Sequence, residues 1–238
     1  MSPSAALTPG SRFVIPAPAA LETAMQALTE ARRDGAGLDL LRLRATAAGH
    51  AWIEAVLDGF ILAMARALRG GPSGQRTAAL VRGAGDRVID GAVRRARAEQ
   101  IAALDTYLAS HVGPGAEGAV IGYPVSARLA ATLAPALAAA GSGRAGEHVA
   151  EIAAAMHATA DETLRELLDV PLGLLELGAV LRATVAIGRS AALGRAHGDI
   201  DRALARSTEA AGRVAEFLAR GVVAAPPTPA AAAGAAGG

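Results

Sequence analysis

The chain has 238 residues, 52% of them apolar, a formal net charge of +1 and no cysteine. Near-neutral charge supplies no long-range field to draw in nucleic acid or an acidic membrane. The lack of thiols excludes a disulfide framework, a cysteine nucleophile and a thiolate metal site. All 23 basic residues are arginine, which also excludes Schiff-base, pyridoxal-phosphate and phosphate-loop lysine chemistry. Aromatic residues are confined to Phe13, Phe60, Phe217, Tyr107, Tyr123 and Trp52, so the apolar mass is mostly Ala, Leu and Val. Ala, Leu and Arg are strong helix formers, and the expected fold class is all-α: a multi-helix bundle of long amphipathic Ala-rich helices.

Residues 1–17 read as an extended N-terminal segment. They lack a basic start followed by an apolar core, and a cytoplasmic location is expected. An N-terminal helical half spans 18–112. Pro16 and Pro18 open a short helix through Leu21, Met25 and Leu28 that stops near Gly35 and Gly37. A longer helix follows with Leu38, Leu41, Ala45, Ala48, Trp52, Ala55, Gly59 and Leu62 on one stripe, ended by Gly70, Gly71 and Pro72. One further helix is expected from Gly74 to His111, closed by Gly113, Pro114 and Gly115.

Residues 113–146 read as a Gly-rich connector with a short helix through Leu129, Leu133 and Leu137. The C-terminal helical half, 147–221, opens with a clear stripe of Val149, Ile152, Met156, Ala160, Leu164 and Leu167. Pro171 suits the first turn of a helix from Leu172 to His197 that is apolar almost all round, so it should be buried or lie on something apolar. Asp199 would cap a last helix whose Ile200, Leu204, Ser207, Ala211, Val214 and Leu218 approach a coiled-coil seam. Ile200, Leu204, Val214 and Leu218 are therefore the expected helix-association seam. A flexible Pro/Ala/Gly tail covers 222–238. The stretches 129–143 and 176–189 are too short or too charged to cross a bilayer, which needs about 20 apolar residues, so no transmembrane span is expected. The tetrad Leu43–Arg44–Ala45–Thr46 recurs as Leu181–Arg182–Ala183–Thr184, a match that comes cheaply in such a composition.

Chemical motifs fare poorly against context. Gly113, Gly115 and Gly118 fit G-x-G-x-x-G, but a helix precedes them and Pro114 intrudes, so they read as an interhelical loop. Ser73 to Thr77 has Gln75 where a phosphate loop needs lysine. His50 with Glu54, His148 with Glu147 and Glu151, and His157 with Asp161 lie about one turn apart or closer, yet no Glu-x-x-His or His-Glu-x-x-His occurs. No metal, no cofactor and no catalytic residue is assigned. Arg82, Arg87, Arg94, Arg95 and Arg97 share their stretch with Asp86, Asp90 and Glu99, so no nucleic-acid partner is expected. Gly59, Gly91, Gly178, Gly188 and Gly212 each cost roughly 1 kcal/mol relative to Ala in a helix interior. Either close helix approach or deliberate opening onto an apolar surface would offset that cost.

The run Asp169, Val170, Pro171, Leu172, Gly173, Leu174, Leu175, Glu176, Leu177 resembles the Asp/Asn-Pro-x-x-Leu-Leu-x-Leu segment of phasins, the proteins that coat polyhydroxyalkanoate granules. The resemblance covers about a third of the chain. It implies a non-enzymatic protein that adsorbs to a polyester granule surface through Leu172, Leu174, Leu175, Leu177, Val180 and Leu181 and self-associates through its helices. The composition leaves two other classes open: a soluble helical adaptor or regulator that binds a partner through its stripes, and a helical ligand-binding domain or enzyme with a pocket near His50, Trp52 and Glu54.

Overall fold

The computed structural model describes residues 7, 8, 10–68 and 72–224. Gly70, Gly71 and the tail beyond 224 lie outside the described residues. The fold is an all-α multi-helix bundle with one small sheet. Strand β1 (Arg12–Pro16) leads to α1 (Ala19–Arg33), α2 (Leu38–Ala67, containing a π segment Leu57–Leu62), α3 (Pro72–Val93), α4 (Ala98–His111) and β2 (Val112–Gly115). Strand β3 (Gly118–Pro124) then leads to α5 (Ala127–Ser142) and to α6, built of Val149–Leu164, a π segment Arg165–Asp169 and a last turn Val170–Gly173. The chain continues through α7 (Ala179–Arg206), α8 (Thr208–Gly221) and β4 (Val222–Val223).

One order of elements occurs twice: strand, helix, π-interrupted helix, two helices, strand. Pro16 and Pro124, Ala19 and Ala127, and Leu57 and Arg165 are separated by one and the same interval. The sheet order β2-β3-β1-β4 places the two equivalent strands at its centre, antiparallel. Their register, Arg12 opposite Pro124, Val14 opposite Gly122 and Pro16 opposite Val120, is symmetric about its midpoint. The terminal strand of each half pairs with the opening strand of the other, β2 with β3 and β4 with β1. The tetrad at Leu43 lies on α2 and its echo at Leu181 on α7, which are not equivalent, so the echo does not mark the true repeat.

Several sequence expectations change here. The supposed connector is the start of the second half. Its glycines form a β2–β3 hairpin with Gly115 opposite Gly118, where Gly118 has φ of 129° and a Cβ on Gly115 would lie 2.6 Å from Val120. The expected helix 74–111 breaks between Val93 and Ala98 without Gly or Pro; Arg42 donates to the Ala96 carbonyl through both Nε and Nη2, and the Gln100 side chain accepts from the Arg97 amide to start α4. The expected helix 172–197 breaks between Gly173 and Ala179, with Glu176 at φ of 48°. Leu172, Leu175 and Leu177 turn into the core at that break. Asp199 is not a cap but lies inside α7, and the last helix starts after Ser207, whose extended backbone separates α7 from α8.

The apolar stripes account for the packing. Leu41, Ala45, Ala48, Trp52 and Ala55 of α2, and Ile152, Met156, Ala160, Leu164 and Leu167 of α6, are buried. Helix α2 is long and apolar enough to cross a membrane by length and composition, but 56% of that apolar window is buried within the fold. It meets α3 through two reciprocal notches: Gly49 receives Ile89, and Gly85 receives Ile53. All three phenylalanines gather where the sheet meets both halves. Phe13 lies with ring centroids 6.1 Å from Phe60, 5.8 Å from Tyr123 and 6.4 Å from Phe217.

A polar brace joins the halves at the second π segment. Pro171 has no N–H to give the carbonyl four residues earlier, that of Leu167. The Trp52 indole Nε1–H of the first half donates to that carbonyl at 2.6 Å, and the Tyr107 hydroxyl donates to the neighbouring Glu166 carbonyl. The widened turn thus has its loosened carbonyls satisfied from across the interface. His111 stacks on Tyr107 with centroids 4.0 Å apart, and burial holds its imidazole below the ordinary range.

Candidate functional site

The main void of interest lies between the equivalent helices α3 and α7, floored by the π segment of α6. It is a partly open cavity of about 270 Å³. Ile53, Val81, Val88, Leu164, Leu168 and Val185 supply its apolar walls. Small residues line the gap, Ala84 on α3 and Gly188, Ala191 and Ala192 on α7. A Cβ placed on Gly188 meets nothing within 4 Å, whereas one on Gly91 would lie 3.2 Å from Leu181 and one on Gly59 3.2 Å from Ile15. Gly59 and Gly91 therefore serve close approach, and Gly188 serves opening.

Charged groups also line the cavity. The Arg189 Nε lies 2.9 Å from the Asp169 carboxylate, and Arg195 stands exposed on the lining. Burial raises the Asp169 carboxyl above the ordinary carboxylate range, outweighing the opposing pull of Arg189 and Arg165.

The residues singled out from sequence fall in different places. His50, Trp52 and Glu54 do not form one pocket. His50 points to Asp90 on α3 at 3.0 Å, Glu54 pairs with Arg82, and Trp52 turns the other way to Leu167. Beside Trp52 there is a void of about 20 Å³, room for about one water. His157 pairs with Asp201 at 3.1 Å rather than with Asp161, which pairs with His197 at 3.2 Å. These crossed pairs tie α6 to α7, and His148 pairs locally with Glu151. Among the described residues no group of three or more His, Asp or Glu side chains is placed to hold a metal ion.

The expected adsorption set is divided. Leu172, Leu175 and Leu177 are core residues, Leu174 and Leu181 are half-buried, and only Val180 is open, at 79% exposure. The expected helix-association seam, Ile200, Leu204, Val214 and Leu218, is buried inside the chain's own core. Amphipathic spacing gives the buried face of a helix but not whether its cover is the same chain or another.

Sequence reasoning passed over Ile53, Val81, Leu164, Val185, Arg189 and Arg195 as a site. The available signal was Gly188, a helix-interior glycine without evident packing cause. No protein-family model, curated protein or solved structure matches the chain.

Proposed function

We propose that this chain is a non-catalytic binding protein whose site is the cavity between α3, α6 and α7, taking a small, largely apolar molecule. The observation that carries this reading is the cavity itself: about 270 Å³ lined by branched aliphatic side chains. Protein interiors are ordinarily close-packed, and an engineered apolar cavity of about 150 Å³ stays dry and takes up benzene. The titratable pairs nearby are engaged in holding helices together, which favours binding over chemistry.

Calorimetric titration with 1-decanol tests the reading. Saturable one-to-one binding is expected, and Gly188→Leu should abolish it by filling the space. The same substitution should raise the melting temperature by roughly 2–3 °C, because it removes a glycine worth about 0.5–1 kcal/mol from a helix interior. Absent binding, or binding untouched by Gly188→Leu, would sink the proposal.

A granule-coat role is a second reading, favoured by one observation. Val180 and Ile187, on the same face of α7, are 79% and 72% exposed. Val180→Glu with Ile187→Glu is expected to abolish co-sedimentation with protein-free polyhydroxybutyrate particles while leaving the melting temperature within a degree or so, since surface substitutions usually stay within about ±0.5 kcal/mol. Changes at Leu172, Leu175 or Leu177 are unsuitable for this test, because they would damage the core.

A further inference from the structure

We infer that the occupant of the α3–α6–α7 cavity is a monocarboxylate with an apolar alkyl or arylalkyl body, its carboxylate held by Arg189 and Arg195. The inference rests on the binding reading above and adds the charge class of the ligand. The volume, about 270 Å³, suits a chain or ring system on the order of ten carbon atoms. The aliphatic walls would cover that body, and they offer nothing to satisfy a carboxylate. The arginines on the lining do.

Two guanidinium groups and one carboxylate are among the lining residues, leaving one uncompensated positive charge. Arg195 has no carboxylate partner among the described residues. Arg189 is only half engaged: its buried Nε–H makes no hydrogen bond of acceptable geometry, although Asp169 lies 2.9 Å away. The Nε edge faces Asp169, while the Arg189 side chain is 38% exposed and leaves its outer N–H groups open to an incoming carboxylate. Guanidinium groups suit the task because their donors lie in a plane that matches the two oxygens of a carboxylate. Asp169 then acts as an internal competitor, occupying Arg189 when the cavity is empty. An anionic ligand meets charge complementarity at the opening and apolar surface within, whereas a cation of the same shape would face two arginines.

The test compares decanoate with 1-decanol by calorimetry on the full chain, for the natural sequence, Arg195→Gln and Asp169→Asn. Decanoate is expected to bind at least about tenfold more tightly than 1-decanol. Arg195→Gln should weaken decanoate about tenfold and leave 1-decanol unchanged, and Asp169→Asn should tighten decanoate several-fold by freeing Arg189. Raising the salt concentration should weaken decanoate alone. Equal affinity for both ligands, or decanoate binding indifferent to both substitutions, would overturn the charge assignment while leaving the apolar cavity as a binding site. Failure of both ligands to bind would remove the binding reading and this inference together.

Discussion

Trp52→Ala is expected to destabilise the protein by about 3–5 kcal/mol, and Trp52→Phe by about 1–3 kcal/mol, measured by urea denaturation followed by circular dichroism. The larger figure combines lost burial with the cavity that truncation leaves. The smaller centres on one hydrogen bond, because Phe keeps an aromatic ring in the site while it removes the indole N–H together with part of the fused ring system. The loss is unfavourable beyond the mean for a hydrogen bond, because the Leu167 carbonyl stays buried without a donor. Pro171 explains why no backbone amide takes the place of Trp52.

The decisive comparison is a double-mutant cycle. In a Pro171→Ala background the helix regains the amide that would bond Leu167, so the cost of Trp52→Phe should fall by at least half. An unchanged cost would show that Trp52 contributes through packing alone. The fluorescence of Trp52, the chain's sole tryptophan, cannot follow its own replacement, which is why circular dichroism is the readout.

The second large effect concerns the phenylalanine cluster. Phe13→Ala should cost about 3–5 kcal/mol, since Phe13 is 1% exposed and its ring is shared among β1, the π segment of α2, β3 and α8. Gly221 is the reason the ring fits. A Cβ there would lie 2.4 Å from Phe13 Cε2, so Gly221→Ala should itself cost about 1–3 kcal/mol by overpacking. With Phe13 truncated the clash disappears, and Gly221→Ala in the Phe13→Ala background should be neutral or mildly stabilising. Chemical denaturation of the four proteins checks this. Additive losses would mean that Gly221 is required for its backbone rather than for the ring.

The sequence by itself determined the class of fold and the buried face of most helices. Composition favours helix throughout, and a stripe such as Ile152, Met156, Ala160, Leu164 and Leu167 needs only the helical period to be read, because side chains three and four residues apart share a side. Tertiary structure decided the rest. The breaks at Arg94–Arg97 and Leu174–Gly178 depend on distant partners: Arg42 caps Ala96, and the core draws in Leu175 and Leu177. The symmetric pairing of β1 with β3 needs strands far apart in sequence and too short to announce themselves, five and seven residues. Self-cover against partner-cover is a matter of where helices lie, and so Ile200, Leu204, Val214 and Leu218, legible as a seam, prove to be interior. The cavity was the least legible feature, since it arises from Ala84, Gly188 and Ala192 leaving space between separate helices. A missing side chain becomes a site only when the surrounding backbone holds still around it.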